Sequence, residues 1–357
     1  MKNLKKVQTL LLILLVSSAM IFGSCKKDDK IVEGDKTELN ALIVEADATA
    51  AAATTTDYLQ ADIDAYKATL ASVKIAAAST LTQLKIDALV VQLTEANKTF
   101  ASKKFGFIDE TLYLNAGWHF DEGTGTTATA FSPVKHIGTF MAGNAGVFGA
   151  AAISPTWVEG VKGGKAVYLD NGAHLEVPYT PAFLPANLTI SVWVKPTVLY
   201  ENNYIVSQNF WNGYKLSTQS LGKPFFTYKK ASGPIIDADN EMVNTISANA
   251  WNHIVITLDG TAKLLKFYVN NVLTKTWTAA DKVDQGGIGP ITQTLVDPVA
   301  QPFLIGCVAT DAQLATWTWT ETPTTLGYFK GTIDELKIYN IALTAGQVSR
   351  LYTDEKP

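Results

Sequence analysis

Beyond Glu110 the chain is written in short runs of alternating apolar and polar residues, broken by Gly, Asn, Asp and Pro, a texture that suits antiparallel β structure. Twelve runs qualify as strands: Tyr113–Phe120, Ala166–Leu169, His174–Val177, Leu188–Lys195, Tyr204–Gln208, Tyr214–Thr218, Phe225–Tyr228, Trp251–Asp259, Lys263–Val269, Val272–Trp277, Pro302–Cys307 and Gly331–Tyr339. So many strands in one domain require two stacked sheets. In the fourth run Ile190, Val192 and Val194 alternate with Thr189, Ser191 and Trp193, as a half-buried strand requires. Trp193 is compatible with burial as well, since a central strand of a sandwich often has both faces covered. Asn270-Asn271 reads as a two-residue turn, because Asn tolerates positive φ. Helical signal returns only at Thr344–Tyr352, with Thr344 as a cap.

The residues before this region bury a different kind of core. All eight tryptophans lie beyond Leu114, whereas between Ile31 and Lys104 the aromatics are only Tyr58, Tyr66 and Phe100. From Lys36 to Lys104 there is neither Pro nor Gly, which favours helix. Leu39, Leu42, Ile43 and Ala46 share one helical face; Ile63, Tyr66, Leu70 and Val73 another; Leu81, Leu84, Ile86, Leu89, Val90, Leu93 and Ala96 a third. Thr54-Thr55-Thr56-Asp57 and Ala78-Ser79-Thr80 offer breaks and caps. The pattern predicts a three-helix bundle over 36–105, and it resembles the FIVAR-type modules found as spacers beside carbohydrate-active domains.

Lys2, Lys5 and Lys6 precede an apolar run from Leu10 to Phe22, too short to span a bilayer and closed by Gly23-Ser24 before Cys25. Residues 1–24 read as a secretory signal. Phe22-Gly23-Ser24-Cys25 resembles the lipobox of bacterial lipoproteins, and Lys26-Lys27-Asp28-Asp29-Lys30 is similar to the export signal of outer-surface lipoproteins of the Bacteroidetes type. That resemblance implies lipidation at Cys25, a linker over 25–35, and an outer-membrane protein anchored through lipid and facing the exterior. A formal net charge of −4, without a block of either sign, argues against nucleic acid as a partner. Two cysteines, Cys25 and Cys307, make no disulfide framework, and Cys307 at the end of an apolar run is expected to be a buried thiol.

Six segments in order resemble the laminin-G-like jelly-roll family of the concanavalin A-like superfold: Trp118-His-Phe-Asp-Glu-Gly123, Gly164-Lys-Ala-Val-Tyr-Leu-Asp170, Leu188 to Pro196, Trp251 to Gly260, Lys266 to Asn271, and Gly331 to Leu343. The resemblance implies a jelly-roll domain over 110–354. It also implies one structural Ca2+ at the rim, for which Asp121, ending the first strand, and Asp334, in the last, are the candidate metal ligands, since those strands run as antiparallel neighbours. Asp170 is a turn residue first and a ligand second.

A retaining glucanase on this superfold needs two carboxylates about 5 Å apart, commonly as Glu-x-Asp-x-Glu on one strand. No such string is present, and Asp239-Asn240-Glu241, the nearest imitation, is read as a solvated loop. His119, His136, His174 and His253 show no short metal-ligand spacing, and His253 is read as structural. No catalytic residue is therefore assigned. Sugar binding is commonly done by aromatic rings flanked by amides. Two segments have that mixture: Tyr200 to Tyr204 with Asn209 to Asn212, and Ala315 to Glu321. The candidate ligand-binding residues are Tyr204, Trp211, Asn202 and Asn212 in the first and Trp317 with Trp319 in the second, where a spacing of two puts both rings on one side of an extended segment. The expected function is a non-catalytic carbohydrate-binding surface lipoprotein for polysaccharide capture. A protein-binding adhesin is the alternative, and a glycoside hydrolase comes last.

Overall fold

The computed structural model describes residues 32–55, 57–293, 301–316 and 327–357. Cys25 and the signal segment, and Trp317 with Trp319, lie outside the described residues. These divide into two compact units that meet in sequence at Phe100 and Ala101. Among the described residues no helix is long and apolar enough to cross a membrane.

The first unit consists of α1 (Thr37–Ala52), α2 (Gln60–Ala77) and α3 (Gln83–Ser102). Leu39, Ala46, Ile63, Tyr66, Leu70, Val73, Ile86 and Leu93 form its core, much as their spacing predicts. Phe100 is the residue the helical spacing leaves out. It stacks on Tyr58 and Tyr66, with ring centroids 4.2 Å away in each case. Leu84, placed by periodicity on the buried face, is 80% exposed, because it stands about 200° round α3 from Ile86, whose row with Leu93 and Phe100 is the buried one.

The second unit has sixteen described strands: β1 (Leu114–Trp118), β2 (Thr127–Thr129), β3 (Ile137–Met141), β4 (Thr156–Glu159), β5 (Lys165–Leu169), β6 (His174–Val177), β7 (Leu188–Pro196), β8 (Asn203–Gln208), β9 (Tyr214–Thr218), β10 (Pro224–Lys229), β11 (Ile235–Asp239), β12 (Asn252–Asp259), β13 (Leu264–Val269), β14 (Val272–Trp277), β15 (Phe303–Ile305) and β16 (Gly331–Tyr339). They form two antiparallel sheets. One runs β14-β13-β12-β7-β16-β5-β4, with β1 also on β16; the other runs β11-β10-β9-β8-β15-β6-β3-β2. This is the two-sheet jelly-roll sandwich. The strands missed in sequence, β2, β3, β4 and β11, are short and lie at or near sheet edges, where one-sided exposure blurs the alternation.

Residues such as Ile190, Val192, Val194, Ile254, Ile256, Leu216, Phe226 and Phe303 interdigitate between the sheets. The other face of the first sheet is covered too. Helix α4 (Ala345–Glu355), opened by a capping box of Thr344 and Gln347, lays Val348 and Leu351 over Val255, Tyr268 and Tyr339. This explains Trp193. Its indole stacks on His253 at 4.9 Å and Tyr352 at 5.6 Å, and its Nε1 donates to Glu355 Oε2 at 2.9 Å. Beneath the helix Lys337 lies buried between Glu355, at 2.7 Å, and Glu335. Although burial opposes it, His119 and Lys337 hold the Glu335 carboxyl down to about 2.

His253 is packed here without charge. Burial first, and the neighbouring Lys337 ammonium second, push its imidazole down to about 3. A base depressed in the fold contributes stability that is complete above its unfolded value near 6.5 and is lost as pH falls toward 3. Glu335 acts in the same direction, but only below its unfolded value of 4.5. Between pH 6.5 and 4.5 the intact chain is therefore expected to lose about 1.4 kcal/mol per pH unit relative to His253→Gln, measured as the difference in urea unfolding free energy. Parallel pH profiles for the two proteins would contradict the burial of a neutral imidazole.

Candidate functional site

The register of the second sheet lines up one polar row on the face turned away from the shared core. Asp237 opposes Thr227, Thr227 opposes Lys215, Lys215 opposes Ser207, Ser207 opposes Leu304, and Leu304 opposes Glu176. Directly paired residues share a face. The alternate residues, Tyr214, Leu216, Phe226 and Ile236, are core. Thr227 Oγ1 donates to Asp237 Oδ1 at 2.6 Å, which fixes one end of the row.

The aromatic candidates gather around Lys215. Its Nζ sits 4.0 Å from the Trp211 ring centroid and 5.3 Å from that of Tyr204, a cation–π pair on each. Tyr204 is not the exposed platform its loop-like neighbours suggest. It is 6% exposed, packs against Val308 and Ala309, and donates its hydroxyl to Asn202 Oδ1 at 3.0 Å, so Asn202 positions the phenol. Trp211 and Asn212 belong to a single helical turn, Phe210–Asn212, that follows Asn209 in the left-handed conformation, and both remain partly exposed. Burial pushes the Lys215 ammonium down to about 8, with Asp237 opposing.

Among the described residues Ser207 Oγ, in the row opposite Lys215, has no hydrogen-bond partner, and neither do the two side-chain amide atoms of Asn209 in the turn after β8; Gln208 Oε1 is bare too, but on the core face with Tyr214 and Phe303. Native interiors rarely leave such groups bare unless something else meets them. Elsewhere a recess of about 240 Å³ opens where Phe148 and Tyr328 meet Asp170, Asn171, Tyr200 and Lys330. There Asp170 pairs with Lys330 at 3.2 Å and accepts from Tyr168 at 3.1 Å.

At the rim, β16 carries a bulge between Asp334 and Lys337, with Glu335 at φ 47°. The bulge is where the partner strand changes from β5 to β1, and it aims Asp334 at the turn Gly160 to Gly164. Asp334 Oδ2 accepts from Val161 N at 2.8 Å, and Asp121 Oδ1 accepts from Lys165 N at 2.7 Å. A Cβ on Gly160 would stand 2.8 Å from the Asp334 oxygen, and one on Gly164 2.2 Å from that of Asp121, so glycine is required for the turn to approach both. Burial pushes the Asp334 carboxyl up to about 7, and the Asp121 charge adds a little. Among the described residues no cluster of three His, Cys, Asp or Glu is placed to hold a metal, so a cation here would take two carboxylates and backbone oxygens.

Other constellations are packing. Ser191 Oγ and His253 Nε2 stand 2.8 Å apart, but both residues are sealed under α4. Glu355 approaches that same nitrogen at 3.9 Å, and Nδ1 has no partner. No orienting acid therefore holds the ring as a base requires. Cys307 is a buried thiol pushed well above its ordinary value. Asp239-Asn240-Glu241 is not a solvated loop: Asp239 ends β11 in an ion pair with Lys223, and Asn240 is fully buried. Asp237 and Asp239 share a face of β11, a pair hidden in sequence because that strand was not recognised. Lys215 and Ser207 were overlooked for a related reason, since their period-two placement looks like the ordinary solvent side of a strand.

The sequence profile of the concanavalin A-like lectin/glucanases superfamily matches residues 169–349. No curated protein matches the chain. Among solved structures, domain 4 of AbnA, a GH43 extracellular arabinanase from Geobacillus stearothermophilus in complex with arabinotriose, is 21% identical, with a TM-score of 0.42 over 67% of this chain and 98% of that one. The binding domain of Paraclostridial Mosquitocidal Protein 1 is 18% identical, with a TM-score of 0.46 over 68% of this chain and 52% of that one. The binding domain of botulinum neurotoxin DC, in complex with rat synaptotagmin II, is 13% identical, with a TM-score of 0.45 over 68% and 51%. The chain thus spans about half the length of these toxin domains.

Proposed function

Because the chain belongs to the concanavalin A-like lectin/glucanases superfamily, we propose that it is a lectin-type glycan-binding protein that holds its ligand without cleaving it. The observation that carries this reading is the cluster of Trp211, Tyr204 and Lys215 set among buried polar atoms that lack partners. Sugars supply the hydroxyls such atoms seek, and a ring face suits Trp211. The disposition of carboxylates supports binding over hydrolysis. Asp237 and Glu176, at opposite ends of the row, are five strand spacings apart, about 24 Å, against the roughly 5–9.5 Å a glycosidase pair needs. Asp239, two residues from Asp237, is taken up in an ion pair with Lys223.

The reading extends to the whole chain as a surface lipoprotein, with lipidation at Cys25 anchoring it in the outer membrane and a FIVAR-like helical unit as a stalk. It also includes a structural Ca2+. Asp121 and Asp334 fit one, because the glycine turn brings hard oxygen donors together and the buried Asp334 carboxylate meets only backbone N–H groups. The ion would neutralise that carboxylate and fix the turn.

A glycan array probed with the purified chain is expected to give selective polysaccharide signals that Trp211→Ala reduces at least tenfold. A blank array would transfer the site to a protein ligand. Calcium is expected to raise the melting temperature by several degrees over a chelator, and Asp334→Asn to abolish the rise. An equal increment in the variant would remove the ion from this turn.

A further inference from the structure

Among the described residues Lys215 holds a positive charge without a counterion. The residue is 4% exposed, and among the described residues no carboxylate lies within 4 Å of its nitrogen. An ammonium has three protons to donate, and among the described residues this one finds a single acceptor, the Tyr204 hydroxyl at 3.5 Å. Asp237, on the same row, is two strands away, about 10 Å by strand spacing, and is occupied by Thr227. Two aromatic faces offset part of the lost hydration, yet cation–π contact is weaker than the hydration it replaces. Directly opposite Lys215 on β8 stands Ser207, on the same face and fully buried, with its hydroxyl unpartnered among the described residues.

A buried charge whose acceptor is a tyrosine hydroxyl at 3.5 Å, and a bare serine hydroxyl on the directly opposed residue, are arranged for an anion. Resting on the glycan reading above, we propose that the site selects acidic sugars. The anionic substituent of one sugar residue, a carboxylate or a sulfate, takes hydrogen bonds from Lys215 Nζ and Ser207 Oγ while its ring lies against Trp211. A neutral sugar would supply acceptors but leave the charge uncompensated, so the anion is what completes the site.

Calorimetric titration of the intact chain tests this, with oligogalacturonate, its fully methyl-esterified form and sulfated and unsulfated galactan oligomers as probes. The acidic form of at least one pair is expected to bind at least about tenfold tighter than its neutral partner, and Lys215→Met to erase that preference. Which pair discriminates tells carboxylate from sulfate. Because Lys215→Met exchanges an unpaired buried charge for an apolar chain of similar shape, its melting temperature is expected to be equal or higher, while Lys215→Arg keeps the preference. Equal binding of charged and neutral partners would overturn the acidic selectivity and leave the glycan reading standing. Failure of all four probes together with a blank glycan array would overturn both. A Lys215→Met protein with lowered melting temperature and intact preference would make the ammonium a structural element and sink the proposal.

Discussion

Helix α4 covers the outer face of the first sheet, and the location of any ligand site depends on that covering. Lys337, Glu335, Glu355, Trp193 and His253 form one buried polar layer beneath it, in which each charge has an opposite partner. With β7 and β16 closed on both sides, that sheet has no central surface to offer. The polar row of the other sheet is also covered at its centre, where Lys215, Ser207, Thr227 and Leu304 are buried, and its partly open places are Asp237 and Glu176 at its ends and the turn that holds Trp211. The contrast between the two layers is electrostatic. Under the helix carboxylates answer the lysine, whereas on the row Lys215 is met by two aromatic rings and stands opposite Ser207, whose hydroxyl is unpartnered among the described residues.

The same bulge in β16 links fold and rim. By letting β1 and β5 share one edge of β16, it turns Asp334 toward the glycine turn where Asp121 also arrives. Two carboxylates more than two hundred positions apart thus become neighbours through a single irregular residue, Glu335.

Much of the fold was legible because its cause is local. Alternation in β7 and β12, the Asn270-Asn271 turn with both residues at positive φ, and the Thr344 cap all follow from short-range chemistry. The misses have physical reasons. Short edge strands such as β2 and β4 have too few residues to show a period, and Leu84 lies on the opposite side of α3 from Ile86, Leu93 and Phe100, which form its buried row. Phe100 fell outside the recognised face yet completes an aromatic stack.

The site was only half legible. Trp211 and Tyr204 stand out by residue type, but what they surround is set by register, which pairs Lys215 with Ser207 and Thr227 across three strands. Whether an aromatic is platform or packing depends equally on tertiary cover, and Tyr204 turned out to be packing with a polar edge. The most direct measurement of the central claim is 19F NMR of the chain labelled with 5-fluorotryptophan, the Trp211 and Trp193 resonances assigned by Trp211→Phe and Trp193→Phe. On titration with the array's strongest glycan, the Trp211 resonance is predicted to shift in proportion to occupancy while Trp193, sealed under α4, stays fixed. A saturable binding event that leaves Trp211 unmoved would contradict the account.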